Sequence, residues 1–226
     1  MSAGPLALVG GDEWNEGCSF DESLLAESGA ERVVVLPTAA AYESPGTLVD
    51  RARTWFHDLG APITALPVLG RTDALEESNV RAVRQARFVY LASGSPMHLR
   101  SVLKDTPLYD ALVEAWQGGA VLAGSAAGGA VLFDHMVDTR GGAFTVGLGL
   151  LSGFTMIPRY DTWSHDKVHR TVGLAPSRMP VVGVEQRTAL IHRAGAGWTV
   201  EGSGSVHVFV DGKPADLSAL PELSSG

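Results

Sequence analysis

A single cysteine, Cys18, is all the thiol this chain carries. No internal disulfide can form, and a cysteine-rich metal cluster is excluded. Cys18 itself reads as a buried or incidental thiol rather than a nucleophile. Positive charge is scarce as well: 17 Lys and Arg stand against 25 Asp and Glu, a net charge of −8. That balance argues against nucleic acid, which wants a basic face. Long apolar runs are missing, and nothing approaches the roughly eighteen residues of a membrane span. The amino end, Met1-Ser2-Ala3-Gly4-Pro5, lacks the basic region and apolar core of a signal peptide. The first glycine turn is not Gly-x-Gly-x-x-Gly, so no dinucleotide site is expected. These absences lead to an expected cytoplasmic protein, one domain over residues 1–226, without metal or cofactor.

What is present is an alternation. Leu6 to Val9 before Gly10-Gly11, Val33 to Leu36 before Pro37, Ile63 to Leu69, Phe88 to Leu91 and Val121 to Ala123 are short apolar runs ended by turns. Helical patterns lie between them. Leu48, Ala52, Trp55, Phe56 and Leu59 recur at helical spacing after Ser44-Pro45, which predicts an N-cap and a first helical proline. Ser78 to Ala86 predicts another helix, and Thr106-Pro107 opens a further one. Pro67 inside the third run predicts an edge or irregular strand. Strands alternating with helices over short connections imply a mostly parallel sheet covered on both faces. Sites in such sheets form at the carboxyl ends of strands. The turns at Gly10-Gly11, Gly94-Ser95 and Gly124-Ser125 all follow strands and are expected to meet at one cleft. Near the end, Trp198–Val200 and Ser205–Val210 alternate as a terminal hairpin, and Leu217 onward reads as a loose tail.

One stretch organises the rest. Ala120-Val121-Leu122-Ala123-Gly124-Ser125-Ala126-Ala127-Gly128-Gly129-Ala130-Val131-Leu132 passes from a strand through the smallest residues into an apolar run. Small neighbours let the backbone take a strained turn and push one side chain into a cleft. The stretch resembles the S51 peptidase family, which includes cyanophycinase, alpha-aspartyl dipeptidase and related class I glutamine amidotransferase-like proteins. That family reads Gly-x-Ser-Ala-Gly-Ala here, with the serine as nucleophile. Laid on without a gap, Gly124 takes the first glycine and Ala126 the nucleophile position. A one-residue slip would make Ser125 the nucleophile, but would put Ala127 on the family glycine. The resemblance continues in Gly147-Leu148-Gly149-Leu150 and in Pro158-Arg159-Tyr160, where Arg159 stands at the family's histidine. Gly183-Val184-Glu185-Gln186-Arg187-Thr188-Ala189-Leu190 matches Gly-Ile-Asp-Glu-x-Thr-Ala-Leu. At the fourth strand Gly94 fits the family's Gly-Gly-Asp-Gln junction, while Ser95-Pro96 stands near its Asp-Gln.

The resemblance implies a three-layer α/β/α fold, flavodoxin-like, with a mostly parallel central sheet and a C-terminal β-hairpin. It places Ala126 at the nucleophile, Arg159 at the histidine and Ser125 as the alternative nucleophile. Gly94, Ser95, Gly124, Ala127, Tyr160 and Glu185 are the expected binding residues. Serine hydrolysis needs a hydroxyl, an imidazole to take its proton, and a group to orient the imidazole. An alanine methyl cannot attack a carbonyl, and a guanidinium stays protonated at any working pH. Two replacements together favour natural loss of the reaction over an engineered knockout. No position for the triad acid stands out, although Asp134 and Asp138 are nearby. The expected function is binding of a small acidic molecule, a peptide or a protein partner in the retained cleft. Arg159 suits a carboxylate or phosphate there. Homodimerisation or pairing with an active paralogue is expected, and nucleic acid and membranes are not. The alternative is an active serine hydrolase on small peptides or isopeptides, built from Ser125 with His135, His165 or His169. His165 and His169 share a helix face, but without a third ligand that spacing predicts exposure rather than a metal site.

Overall fold

The computed structural model describes residues 2–223. The first half of the chain forms β1 (Leu6–Val9), α1 (Phe20–Ser28), β2 (Val33–Leu36), α2 (Pro45–Asp58), β3 (Ile63–Ala65), α3 (Glu77–Arg84), β4 (Phe88–Leu91), α4 (Pro96–Leu103) and α5 (Pro107–Gln117). There follow β5 (Val121–Ser125), the single turn α6 (Ala127–Ala130), β6 (His135–Val137), β7 (Phe144–Val146), β8 (Thr155–Pro158) and α7 (His165–Leu174). The last strands are β9 (Val181–Val184), β10 (Thr188–Arg193), β11 (Gly197–Gly202), β12 (Val206–Val210) and β13 (Lys213–Ala215).

Seven strands make the central sheet in the order β11-β10-β1-β5-β4-β2-β3. The five from β1 to β3 run parallel, with Val9 opposite Ser125 and Leu91 opposite Gly124. β10 and β11 are antiparallel additions beside β1. The apolar runs are buried on both sides because alternate residues serve opposite helix layers. Leu8, Val34, Leu36, Val89, Leu91 and Leu122 meet α3, α4 and α5 through Val83, Leu99 and Leu112. Ala7, Val35, Phe88, Tyr90 and Val121 meet α1 and α2 through Leu24, Leu48 and Phe56. This is the three-layer arrangement the alternation implies. β8 and β9 run parallel in a second, four-stranded sheet of order β13-β12-β9-β8.

Local signals hold at some ends and fail at others. Thr106 caps α5 by accepting from the Tyr109 amide, and Ser95 caps α4 by accepting from His98. Ser44, expected to cap α2, instead takes a left-handed conformation (φ 58°) and makes no side-chain cap, although Pro45 does begin the helix. β3 stops at Ala65, short of the expected Leu69, and is the outermost strand; Pro67 has no N–H to extend the ladder. The two stretches expected to pair as a terminal hairpin go to different sheets. β11 pairs with β10, while β12 pairs with β9 and closes a separate hairpin with β13. The segment from Leu217 to Leu223 is docked rather than loose: Leu220 is buried, and the Trp198 indole donates to the Pro221 carbonyl at 2.9 Å. Met1 and residues 224–226 lie outside the described residues. Among the described residues no helix is long and apolar enough to cross a membrane.

Candidate functional site

The carboxyl ends of β2, β4, β5 and β8 surround a cavity of ≈ 570 Å³. At its floor β5 turns abruptly into α6. Ala126 sits at that turn with φ 44° and ψ −99°, a conformation that costs a non-glycine residue about 1–3 kcal/mol. The strain is held by the Ala126 amide donating to Val9 at 2.9 Å, and by the Ala130 amide donating back to the Ala126 carbonyl at 2.8 Å. Only the smallest residues fit this turn, since a Cβ on Gly124 would lie 2.5 Å from the Gly128 carbonyl oxygen. Gly124 therefore shapes the turn from behind, while Ala126 and Ala127 line the cavity.

Ser125 faces the other way. It is fully buried, and its hydroxyl donates to Glu13 Oε2 at 2.8 Å. Glu13 is itself 1% exposed, and its Oε1 accepts from the Ser93 amide at 3.0 Å. One buried carboxylate thus ties the loop after β1 to the ends of both β4 and β5. The sequence signal for Glu13 was only its place, immediately beyond a strand-ending glycine turn.

Gly94 lines the cavity at the end of β4 with φ 142°. A Cβ there would sit 2.3 Å from the Ala39 carbonyl oxygen, so this turn excludes any side chain. Ser95 is spent on the turn: its amide donates to Ala39, and its hydroxyl caps α4. The N–H groups of Gly94 and Ala127 have no acceptor among the described residues, which leaves two donors at the cavity floor for an anionic oxygen.

Arg159 follows β8 in a left-handed conformation (φ 51°), with its amide bonded to the Gly10 carbonyl at 2.8 Å. Its stem crosses the β1 turn, where a Cβ on Gly11 would lie 2.9 Å from Arg159 Cγ. The guanidinium is exposed and lines the cavity. Of the glycine turns expected to converge, Gly94 borders the cavity directly, and the β1 turn contributes by seating Arg159. Glu43, Arg51, Thr139, Thr162 and Trp163 also line it, and none was singled out from sequence. None of the seven histidines is among the lining residues.

Tyr160 and Glu185, expected in the same site, line a neighbouring pocket of ≈ 280 Å³ instead. Tyr160 lies against Gly183, where no Cβ would fit, and stacks on His207 with centroids 4.5 Å apart. Glu185 bonds His207 Nε2 at 2.9 Å and accepts from the Ser205 amide at 2.8 Å. The His207 bond holds the Glu185 carboxyl below its ordinary range, and burial pushes the Tyr160 phenol up. These residues fasten the segment after β8 to β9 and β12 of the second sheet.

The other candidates lie outside the elbow cavity, although His165 also lines the neighbouring pocket. His165 and His169 stack on an exposed face of α7, with centroids 6.4 Å apart. His135 is exposed beside Asp134, and Asp138 is paired with Arg140, which lowers its carboxyl pKa. Among the described residues no group of three or more His, Cys, Asp or Glu side chains is placed to hold a metal ion. Cys18 is buried against α1, and desolvation pushes its thiol up to about 11. Asp21, fully buried and bonded among the described residues only to the Trp55 indole, is likewise driven up by desolvation.

Comparison with known proteins agrees with this architecture. The chain is 26% identical to cyanophycinase of Trichormus variabilis over 98% of its length and 77% of that protein. Cyanophycinase of Synechococcus elongatus is 23% identical over 94% of this chain and 69% of its own. The crystal structure of a peptidase from an acI-B1 Actinobacterium superposes with a TM-score of 0.83 and 30% identity, covering 94% of this chain and 93% of that one. A solved structure from Listeria monocytogenes EGD-e, 18% identical with a TM-score of 0.69, shares the fold. The model of peptidase family S51 matches residues 6–197, from β1 to the start of β11. With a match that spans most of the chain and includes the elbow between β5 and α6, the chain belongs to peptidase family S51.

Proposed function

We propose that this S51 protein does not cleave peptides through a serine nucleophile, and that its cleft binds a small acidic ligand. The observation that carries the reading is the division of labour at the elbow. Ala126 holds the strained apex and borders the cavity, while the neighbouring hydroxyl of Ser125 is buried against Glu13. A methyl group supplies no nucleophile, and loss of a triad nucleophile costs about a million-fold in turnover. Arg159 offers no base but suits a carboxylate or phosphate through two parallel hydrogen bonds. The unengaged amides of Gly94 and Ala127 add donors for the same kind of group. A rebuilt Ser-His site finds no support, since Ser125 is fully buried and no histidine lines the cavity.

The test is active-site labelling with a fluorophosphonate, run beside hydrolysis of small acidic dipeptides. The expected outcome is no labelling and no turnover. Labelling that disappears in Ser125→Ala would overturn the reading and establish a serine hydrolase.

A further inference from the structure

The cleft contains a second arginine. Arg51, on α2, lines the same cavity as Arg159. Neither guanidinium has an ion-pair or hydrogen-bond partner among the described residues. Elsewhere several arginines are paired, Arg193 by Glu27 and Glu201 and Arg84 by Glu114, although Arg81 and Arg178, both exposed on the surface, are also unpaired among the described residues. Only Glu43 among the lining residues carries a carboxylate, so the wall has two positive charges and one negative. Two like charges in one concave site repel, and the repulsion grows as water is displaced. An oxyanion on each guanidinium removes it and satisfies donors that otherwise face solvent.

We propose that the ligand carries two anionic groups, one bound by Arg159 beside the elbow and the other by Arg51 on α2. The class is a small dicarboxylate or a phosphorylated compound that fits ≈ 570 Å³. This rests on the reading of the cleft as an acid-binding site, and adds to it the second charge and the residue that recognises it. Arg51 is the specificity determinant for a doubly charged ligand over a singly charged one.

Isothermal titration of the full chain with succinate, pyrophosphate and acetate tests this, repeated with Arg51→Gln, Arg159→Gln and Glu43→Gln. At least one doubly charged anion is expected to bind ten times or more tighter than acetate. Either arginine substitution should weaken it by about 10- to 100-fold, the range of a lost charge-assisted hydrogen bond. Glu43→Gln should tighten it a few-fold by removing repulsion, a gain that misfolding would not produce. Preference for succinate assigns carboxylates, and preference for pyrophosphate assigns phosphoryl groups. If all anions bind equally and only Arg159→Gln matters, the two-anion proposal falls and the single acidic site stands. If binding ignores both arginines, or no anion binds, the proposal and the acid-binding reading fall together.

Discussion

The elbow cleft and the pocket around Glu185 are neighbours that share Trp163, yet their charges are in opposite states. In the pocket, Glu185 is engaged by His207 and the Ser205 amide, and Asp161 accepts from the Gln186 amide at 2.9 Å. In the cleft, Arg51, Arg159 and Glu43 have no partner among the described residues. The difference separates two jobs. Paired polar groups fix the backbone that carries the site, while unpaired ones in a cavity are available to a ligand. Residues drawn from a single family motif fall on both sides of this line: Arg159 and Tyr160 are adjacent in sequence and serve different pockets.

The comparison is broken most forcefully at the apex. Ala126→Ser alone restores a hydroxyl without a base. Ala126→Ser combined with Arg159→His supplies both, and should raise fluorophosphonate reactivity over the single variant by about 100- to 10,000-fold, the usual worth of a positioned general base. Equal reactivity in the two variants would mean that residue 159 does not face the apex as a catalytic imidazole must. A smaller effect is expected at the clamp beneath the cleft. Glu13→Ala strands the buried Ser125 hydroxyl and Ser93 amide, and should cost about 3 kcal/mol in urea unfolding. Glu13→Gln, which keeps an acceptor, should cost less; equal losses would show that the carboxylate's bonds do not hold these loops.

The smallest effect belongs to the paired pocket. Glu185 has its folded pKa lowered, so its pairing stabilises the protein above the unfolded pKa and is lost as pH falls through the folded one. Glu185→Gln should therefore flatten the acid side of the stability–pH curve, with a loss below about 1 kcal/mol near neutrality. It should leave anion binding in the cleft unchanged. A comparable loss of anion binding would merge the two pockets into one site.

Much of the fold was legible in local pattern. Val33 to Leu36 and Phe88 to Leu91 are buried on both faces as continuous apolar runs in a parallel sheet should be. The elbow was legible because Gly124, Gly128 and Gly129 permit a tight turn after an apolar strand, and the folded turn has no room for a Cβ at these positions. Partner choice among the late strands was not. Alternation in Trp198–Val200 and in Ser205–Val210 marks strands, but not which sheet each joins, because either edge offers the same backbone hydrogen bonds. The Ser44 cap failed because a left-handed backbone turns the hydroxyl away from the first amides, a choice that local composition does not fix.

The sequence by itself determined that residue 126 has no nucleophile, that residue 159 has no base, and that the backbone between β5 and α6 is free to turn tightly. Those follow from side-chain chemistry and from the absence of Cβ atoms, both of which are properties of the chain alone. Only the tertiary structure decided that Ser125 is buried on Glu13, that Glu185 and Tyr160 are fasteners, and that Arg51 lies in the same cavity as Arg159. The physical reason is separation: Glu13 and Ser125 are 112 residues apart, and Arg51 reaches the cleft from α2, which β3, α3, β4, α4, α5 and β5 separate from the elbow in sequence. Contacts of that range are set by how the layers pack, and no local pattern encodes them.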